Sequence, residues 1–472
     1  MFGSIIFYTY VFNGNPIKLC LLILYIGLLT YVGALLIDRT KGKIKSLILS
    51  TCIIGVVAAL IVLKYVFNML NVIKVLFDCS GDFSALHFVG IIGLSYYSLT
   101  AIGYLIGVYW GNYKAEKNIV DIFLFIFYFP QIISGPITRF EEMHVQFNQI
   151  HDLSYDNITL GMRRMAFGYF KKLVISERFG VIVSTIYSNY DCYSMVEIIL
   201  ATLCYAVQLY ADFSGCMDII MGASMMFGIE LPENFEAPFF SESISEFWRR
   251  WHITLGTWFK DYLMYPLQKS KFVQKIGKWS KKKFGKKIGK KVPFHLSMII
   301  LWILIGIWHG GTGYYFIASA VVPCTLLIVS DICQPLFEKN RKNLVFKEKN
   351  VRKIFRRIRT LLLVCICWLF VCSNDTFRAF RVIGHMFTYP IRTVYSMSVF
   401  EAFGLGIIDI ILMIVGLVVL YVSDKYVYEG TSVFEVNDKK KYWFKVGLIY
   451  LELLAIMLWG KLGSSSFIYF EF

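Results

Sequence analysis

The chain has 472 residues, of which 57% are hydrophobic and 17% aromatic, and its mean hydropathy is +0.60. A soluble domain cannot usually hide that much apolar surface, so composition excludes an ordinary soluble enzyme and points to a bilayer. The net charge of +16, from 48 basic and 32 acidic residues, sits in connections that carry no nucleic-acid module, which argues for anionic membrane lipids as its counterpart and for no nucleic acid.

Hydrophobic stretches near the length that crosses a bilayer, about 20 residues, recur at 18–37, 46–69, 86–109, 118–137, 161–187, 195–228, 294–309, 314–331, 360–373, 405–423 and 442–460. The expected fold class is all-α: a polytopic integral membrane helix bundle of about ten or eleven spans, with 118–137 and 360–373 re-entrant or tilted. No small-residue cleavage site follows the first stretch, so it reads as a retained helix and not a signal peptide. The polar segments 138–160, 269–292, 338–356 and 424–441 are connections, and no internal repeat relates two halves. A single membrane domain over 1–472 is the simplest organisation.

Two basic runs fix the expected orientation. Residues 269–291 hold eleven lysines and no acidic residue, interleaved with Phe272, Ile276, Trp279, Phe284 and Ile288. The second run is Arg341, Lys342, Lys347, Lys349, Arg352, Lys353, Arg356, Arg357 and Arg359. The positive-inside rule sends both to the cytoplasm, where they face lipid headgroups or, as the alternative, dock an acidic partner.

The segment 230–267 differs from the spans around it. Asn234-Phe235-Glu236-Ala237-Pro238 reads as a turn, and Ser243-Ile244-Ser245-Glu246 has the spacing of a capping box. A helix over 243–263 would then carry a broad aromatic stripe, Phe247, Trp251, Leu255, Trp258, Phe259 and Tyr262, with Arg249, Arg250 and Lys260 elsewhere around it. Periodicity alone suits an amphipathic surface helix. Adjacent arginines in an aromatic setting also suit a phosphate-bearing or pantetheine-like anion.

Farther on, Trp308-His309-Gly310 closes an apolar run that begins near Pro293. Desolvation there would keep the His309 imidazole neutral and able to take a proton. Ionisable residues at membrane depth are functional candidates, although a Trp-His pair at a helix end also suits a membrane interface. Most of the eleven cysteines sit in apolar stretches, as Cys20, Cys52, Cys204, Cys324 and Cys365 do. They read as small hydrophobes, and neither they nor the scattered histidines form a zinc pattern, so no metal is expected. A phosphate-binding glycine loop is not found either.

These residues carry a family resemblance. Phe247-Trp248-Arg249-Arg250-Trp251-His252-Ile253-Thr254-Leu255, with Trp258, Lys260-Asp261-Tyr262, Tyr265-Pro266 and Trp308-His309-Gly310, resembles the membrane-bound O-acyltransferase family. More narrowly it is similar to the bacterial polysaccharide O-acetyltransferase branch, of which the alginate O-acetylation membrane subunit is typical. Further pieces agree in order: Phe129-Pro130-Gln131-Ile132-Ile133-Ser134-Gly135-Pro136 with Arg139-Phe140, Tyr210-Ala211-Asp212-Phe213-Ser214-Gly215-Cys216-Met217-Asp218, and the ending Phe467-Ile468-Tyr469-Phe470-Glu471-Phe472. Two departures stand out. The branch commonly begins with a further hydrophobic segment, and after Trp308-His309-Gly310 it often has Ala-Gly and a large residue where this chain has Gly311-Thr312-Gly313-Tyr314-Tyr315. The second bears on acyl-group and acceptor preference.

The resemblance implies a bundle with a central catalytic tunnel, the acyl donor approaching from the cytoplasm and the acceptor from the other side. It implies His309 as catalytic general base and His252 as the second histidine of the site. Arg249, Arg250, Trp248, Trp308, Asp212 and Asp261 follow as substrate-binding or shaping residues, with structural ion pairing the alternative for the charged ones. The implied activity is O-acyl transfer in the bacterial plasma membrane, with no bound cofactor. Acetyl would move from a thioester such as acetyl-CoA toward a polysaccharide, directly or through an extracytoplasmic esterase-like transferase partner. D-alanyl transfer to teichoic acid is the alternative within the family. A lipid-linked glycan flippase is the alternative from another class, and it leaves Trp308-His309-Gly310 unexplained.

Overall fold

A computed structural model describes residues 16–66, 93–339, 349–389, 403–432 and 442–461, apart from 133, 153 and 311, together with Ser4, Phe434 and Phe467. The described residues are helical with irregular connections, and hold no strand beyond an isolated antiparallel bridge between Phe235 and Trp251. The protein is an all-α membrane protein. Of the terminal Phe467 to Phe472 motif only Phe467 is described, and the start of the 86–109 stretch and part of the second basic run also lie outside the described residues.

The chain divides into two compact units, Met1–Gly161 with Ile220–Pro232 and Met162–Ile219 with Glu233–Phe472. In the first unit, α1 (Pro16–Arg39), α2 (Gly42–Ile61) and α3 (Leu94–Trp110) pack on one another. The short α4 (Ile119–Ile126) starts where Asn118 Oδ1 accepts from the Val120 N–H at 3.0 Å, and α5 (Phe140–Phe147) follows. The 118–137 stretch is therefore not one span. Helix α4 stops short of Pro130, which can donate no hydrogen bond, and the chain beyond it is held by Gln131, whose amide donates to the Phe125 carbonyl at 3.2 Å and accepts from Thr138 at 3.2 Å. Glu116, Asp121 and His144, which the sequence does not bring together, each place one potential ligand atom within 4.8 Å of the others.

In the second unit, α6 (Tyr155–Tyr169), which begins in the first, runs through a π-helical turn, Phe170–Ser176, into α7 (Glu177–Ser188). That interruption falls inside the 161–187 stretch and buries two consecutive lysines. Lys171 reaches Asp218 at 2.5 Å, and Lys172 reaches Asp212 at 2.6 Å and Glu177 at 2.7 Å. Both aspartates lie on the long α8 (Met195–Met226). Next come α9 (Ile244–Arg250), α10 (Ile253–Phe259), the π turn Lys260–Met264, α11 (Tyr265–Lys269), the lysine-rich α12 (Lys271–Gly289) and α13 (Lys291–His309). After α14 (Gly313–Phe316) and the π turn Ile317–Val321 come α15 (Val322–Lys339), α16 (Lys349–Cys372), α17 (Thr376–Thr388), α18 (Ile407–Tyr428) and α19 (Tyr442–Trp459).

Six helices among the described residues are long and apolar enough to cross a membrane: Leu19–Arg39, Gly42–Tyr65, Met195–Met226, Lys291–His309, Gly313–Gln334 and Ile407–Tyr428, with Val446–Trp459 a shorter apolar one. The 360–373 stretch proves to be the second half of α16, whose first half carries the described part of the second basic run. Three of its arginines turn toward protein: Arg357 donates to the Phe240 carbonyl at 3.0 Å, Arg359 to the Glu242 carbonyl at 2.9 Å, and Arg356 pairs with the Glu242 carboxylate at 3.2 Å. Helix α12 leaves Phe272, Trp279, Phe284 and Ile288 exposed among its lysines and kinks at Gly285, whose φ of 76° suits glycine.

Candidate active site

The site begins with a broken helix. Ser243 caps α9 as its spacing predicts, its Oγ accepting from the Glu246 N–H at 3.2 Å. The Glu246 carboxylate reaches one residue farther back than expected and accepts from the Glu242 N–H at 2.9 Å. The helix expected over 243–263 is not continuous. It stops at Arg250; Trp251 is extended (φ −105°, ψ 126°) and His252 is left-handed (φ 48°, ψ 54°) before α10 begins. A non-glycine residue held there costs on the order of 1–3 kcal/mol. Asn234 offsets that cost. Its backbone carbonyl accepts from the Ile253 N–H at 3.0 Å and its side-chain oxygen from the Thr254 N–H at 3.1 Å, so both leading donors of α10 are capped by a residue well upstream in the chain. The Glu236 N–H also bonds the Arg250 carbonyl at 3.0 Å, which completes the bridge.

The break turns His252 into a cavity of about 440 Å³ that His309, the last residue of α13, also lines. That volume lies in the range of small-molecule sites. Trp248 and Arg249 line it as well, so four of the eight expected site residues converge there. Trp308 packs behind them, with its ring centroid 6.5 Å from that of His252 and 4.9 Å from that of His309. Tyr315 also stands 5.7 Å from His309, ring to ring. The mouth is formed by the exposed lining residues Ser245, Arg249, Gly256 and Lys260, two of which are cations, and no aspartate or glutamate is among the lining residues.

The other expected residues stand apart from the lining. Arg250 pairs with Glu246 at 3.1 Å, donates to the Glu236 carbonyl at 3.0 Å and lies 5.0 Å from the Tyr428 ring centroid. Asp212 is fully buried against Lys172, and Asp261 lies in the π turn after α10. Sequence reading did not single out Tyr205 or Trp302, which also line the cavity, and met Tyr315 only within the departure after Gly310. Their apolar surroundings make them look like ordinary helix packing.

His252 lies outside the six spanning helices and is only 5% exposed. Burial, with a smaller contribution from His309, holds its pKa well below the usual histidine value, so it is neutral at physiological pH. Its Nδ1 is 3.2 Å from Asn234 Oδ1, and its ring meets the buried Phe213 edge to face at 4.9 Å. Such an imidazole can accept a proton or a hydrogen bond in a site otherwise made of apolar walls and a basic mouth.

The profile of the membrane-bound O-acyltransferase family matches residues 49–278, a range that includes His252 and ends before His309. A probable alginate O-acetylase of Azotobacter vinelandii is 30% identical over 395 residues, 82% of this chain and 73% of that protein. Another, of Pseudomonas syringae pv. tomato, is 33% identical over 304 residues, 63% of this chain and 52% of that protein, so the chain spans about half the length of that relative. A teichoic acid D-alanyltransferase of Bacillus subtilis is 28% identical over 294 residues, 60% of this chain and 67% of that protein. With its helical membrane architecture, its paired histidines on one cavity and these relatives, the chain belongs to the membrane-bound O-acyltransferase family.

Proposed function

We propose that the protein is an O-acyltransferase of the bacterial plasma membrane that moves an acetyl group from a cytoplasmic thioester, such as acetyl-CoA, toward hydroxyls of an extracytoplasmic polysaccharide. The observation that carries this reading is the meeting of His252, at a helix break, and His309, at a helix end, on one cavity with a cationic mouth. In the proposed reaction His309 takes the proton of an acceptor hydroxyl as that oxygen attacks the thioester carbonyl. The carbon–oxygen bond forms, the carbon–sulfur bond breaks, and the departing thiolate takes up the proton. Arg249 and Lys260 would hold the phosphates of the donor outside the cavity. The acceptor is either the glycan itself or an extracytoplasmic esterase-like transferase that passes the group on.

His309→Ala tests the reading. The variant is expected to accumulate in the membrane while ester-linked acetyl on the surface glycan falls by about two to four powers of ten. Normal acetylation in that variant would overturn the mechanism. Unchanged acetyl content with altered glycan export in cells lacking the chain would favour a flippase. The Bacillus subtilis relative supports a second reading, D-alanyl transfer to teichoic acid. Mild alkaline release of the esterified group separates the two readings, because one liberates acetate and the other alanine.

A further inference from the structure

The hydrogen bonds around Asn234 determine which nitrogen of His252 carries its proton. Asn234 is fully buried. Its side-chain atom nearest the helix break receives the Thr254 N–H at 3.1 Å and lies 3.0 Å from the Thr254 hydroxyl. A backbone N–H only donates, so the atom it meets is the amide oxygen and not the nitrogen, which settles the orientation of the side chain. The amide NH2 correspondingly faces the Met217 sulfur at 3.3 Å. An amide oxygen only accepts, so His252 Nδ1, 3.2 Å from it, must be the donor. In the neutral imidazole the lone pair then belongs to Nε2.

We infer that Asn234 is a positioning residue for acyl transfer: by accepting from His252 Nδ1–H it holds the imidazole in one tautomer and leaves Nε2 as the accepting nitrogen of a ring that lines the cavity. This rests on the cavity being the acyl-transfer site. The backbone serves the same end. Asn234 caps α10 through both of its oxygens, so the residue that sets the ring's proton also stabilises the left-handed turn that aims the ring. A histidine in the wrong tautomer offers a donor where an acceptor is needed, a fault that can cost several powers of ten in rate with the geometry intact.

Two measurements test the inference, and the first needs no variant. In protein labelled with ¹⁵N-histidine and embedded in lipid, the His252 signals, assigned by their loss in His252→Gln, should show a protonated Nδ1 and an unprotonated Nε2. The opposite pattern would overturn the inference whether or not the protein transfers acyl groups. The second is the pH profile of thioester turnover by membranes carrying the protein. Asn234→Asp keeps the accepting oxygen but adds a negative charge that favours the imidazolium, so the acid limb should move up by about 1–3 pH units while alkaline activity persists. Asn234→Leu should lose activity across the range, with Asn234→Asp restoring it at high pH. The other titratable or charged groups lining the cavity are His309, Tyr205, Tyr315, Cys367, Arg249 and Lys260, and none of them is altered. Equal loss in both variants with an unshifted acid limb would mean that Asn234 serves folding alone. If wild-type membranes turn over no thioester, the acyl-transfer reading fails while the nitrogen spectrum still reports the tautomer.

Discussion

Adjacent arginines in one motif should behave oppositely when removed. Arg250 is 18% exposed and meets the Glu246 carboxylate at 3.1 Å, the Glu236 carbonyl at 3.0 Å and, more loosely, its carboxylate at 3.6 Å, and the Tyr428 ring at 5.0 Å. A charge-assisted bond to a carbonyl contributes about 1.5–3 kcal/mol, an i,i+4 pair about 0.3–0.5 kcal/mol, and a cation over a partly exposed ring about 0.5–1 kcal/mol. Arg250→Ala should therefore cost about 2–4 kcal/mol, a thirtyfold to thousandfold shift toward unfolded protein. Arg249 is exposed at the cavity mouth, and no ion pair to it occurs among the described residues. Arg249→Ala should leave stability within about 0.5 kcal/mol but raise the donor concentration needed for half-maximal turnover. Membrane abundance and heat resistance in detergent, measured beside thioester turnover, separate the two effects. If Arg250→Ala accumulates like the wild type while Arg249→Ala is lost from the membrane, the division of labour read from these contacts is wrong.

Asp212→Ala removes a buried partner of Lys172 and should cost about 3–5 kcal/mol, seen as loss of membrane abundance; normal abundance would mean that Glu177 suffices for that lysine. Gly306 lies one turn before His309, and a Cβ there would stand 2.6 Å from the Ala320 Cβ, so Gly306→Ala should cost about 1–3 kcal/mol and lower turnover by shifting the end of α13. Unchanged turnover and melting would show that α13 and the Ile317–Val321 turn can part freely. Cysteines placed along α12 should react with impermeant reagents only after the membrane is opened, because its lysines are expected to face the cytoplasm. Labelling from outside intact cells would reverse that orientation and move the donor entrance.

Much of the site was legible before any coordinates. The Ser243 cap forms as its spacing predicts, and the Trp248-Arg249 pair and the two histidines of the resemblance line one cavity. The continuous 243–263 helix did not, because its break depends on Asn234. The side chain and carbonyl that cap α10 lie in a turn that no local window joins to His252. The separate fates of Arg249 and Arg250 were equally hidden, since periodicity fixes the angle between neighbours on a helix and not what each one meets.

Sequence by itself determined that this chain lives in a bilayer, that it is built of helices and which motifs carry the family resemblance. Those properties follow from composition, from apolar run length and from short motifs, each expressed within a few turns of chain. Tertiary structure alone decided where 118–137 and 161–187 are interrupted, that Arg356, Arg357 and Arg359 of α16 turn toward protein, and which residues wall the cavity. The reason is that π turns, remote caps and buried ion pairs are satisfied by partners far along the chain. Lys172 meets Asp212 across 40 residues and His252 meets Asn234 across 18, and only the folded chain brings such donors and acceptors within reach of one another.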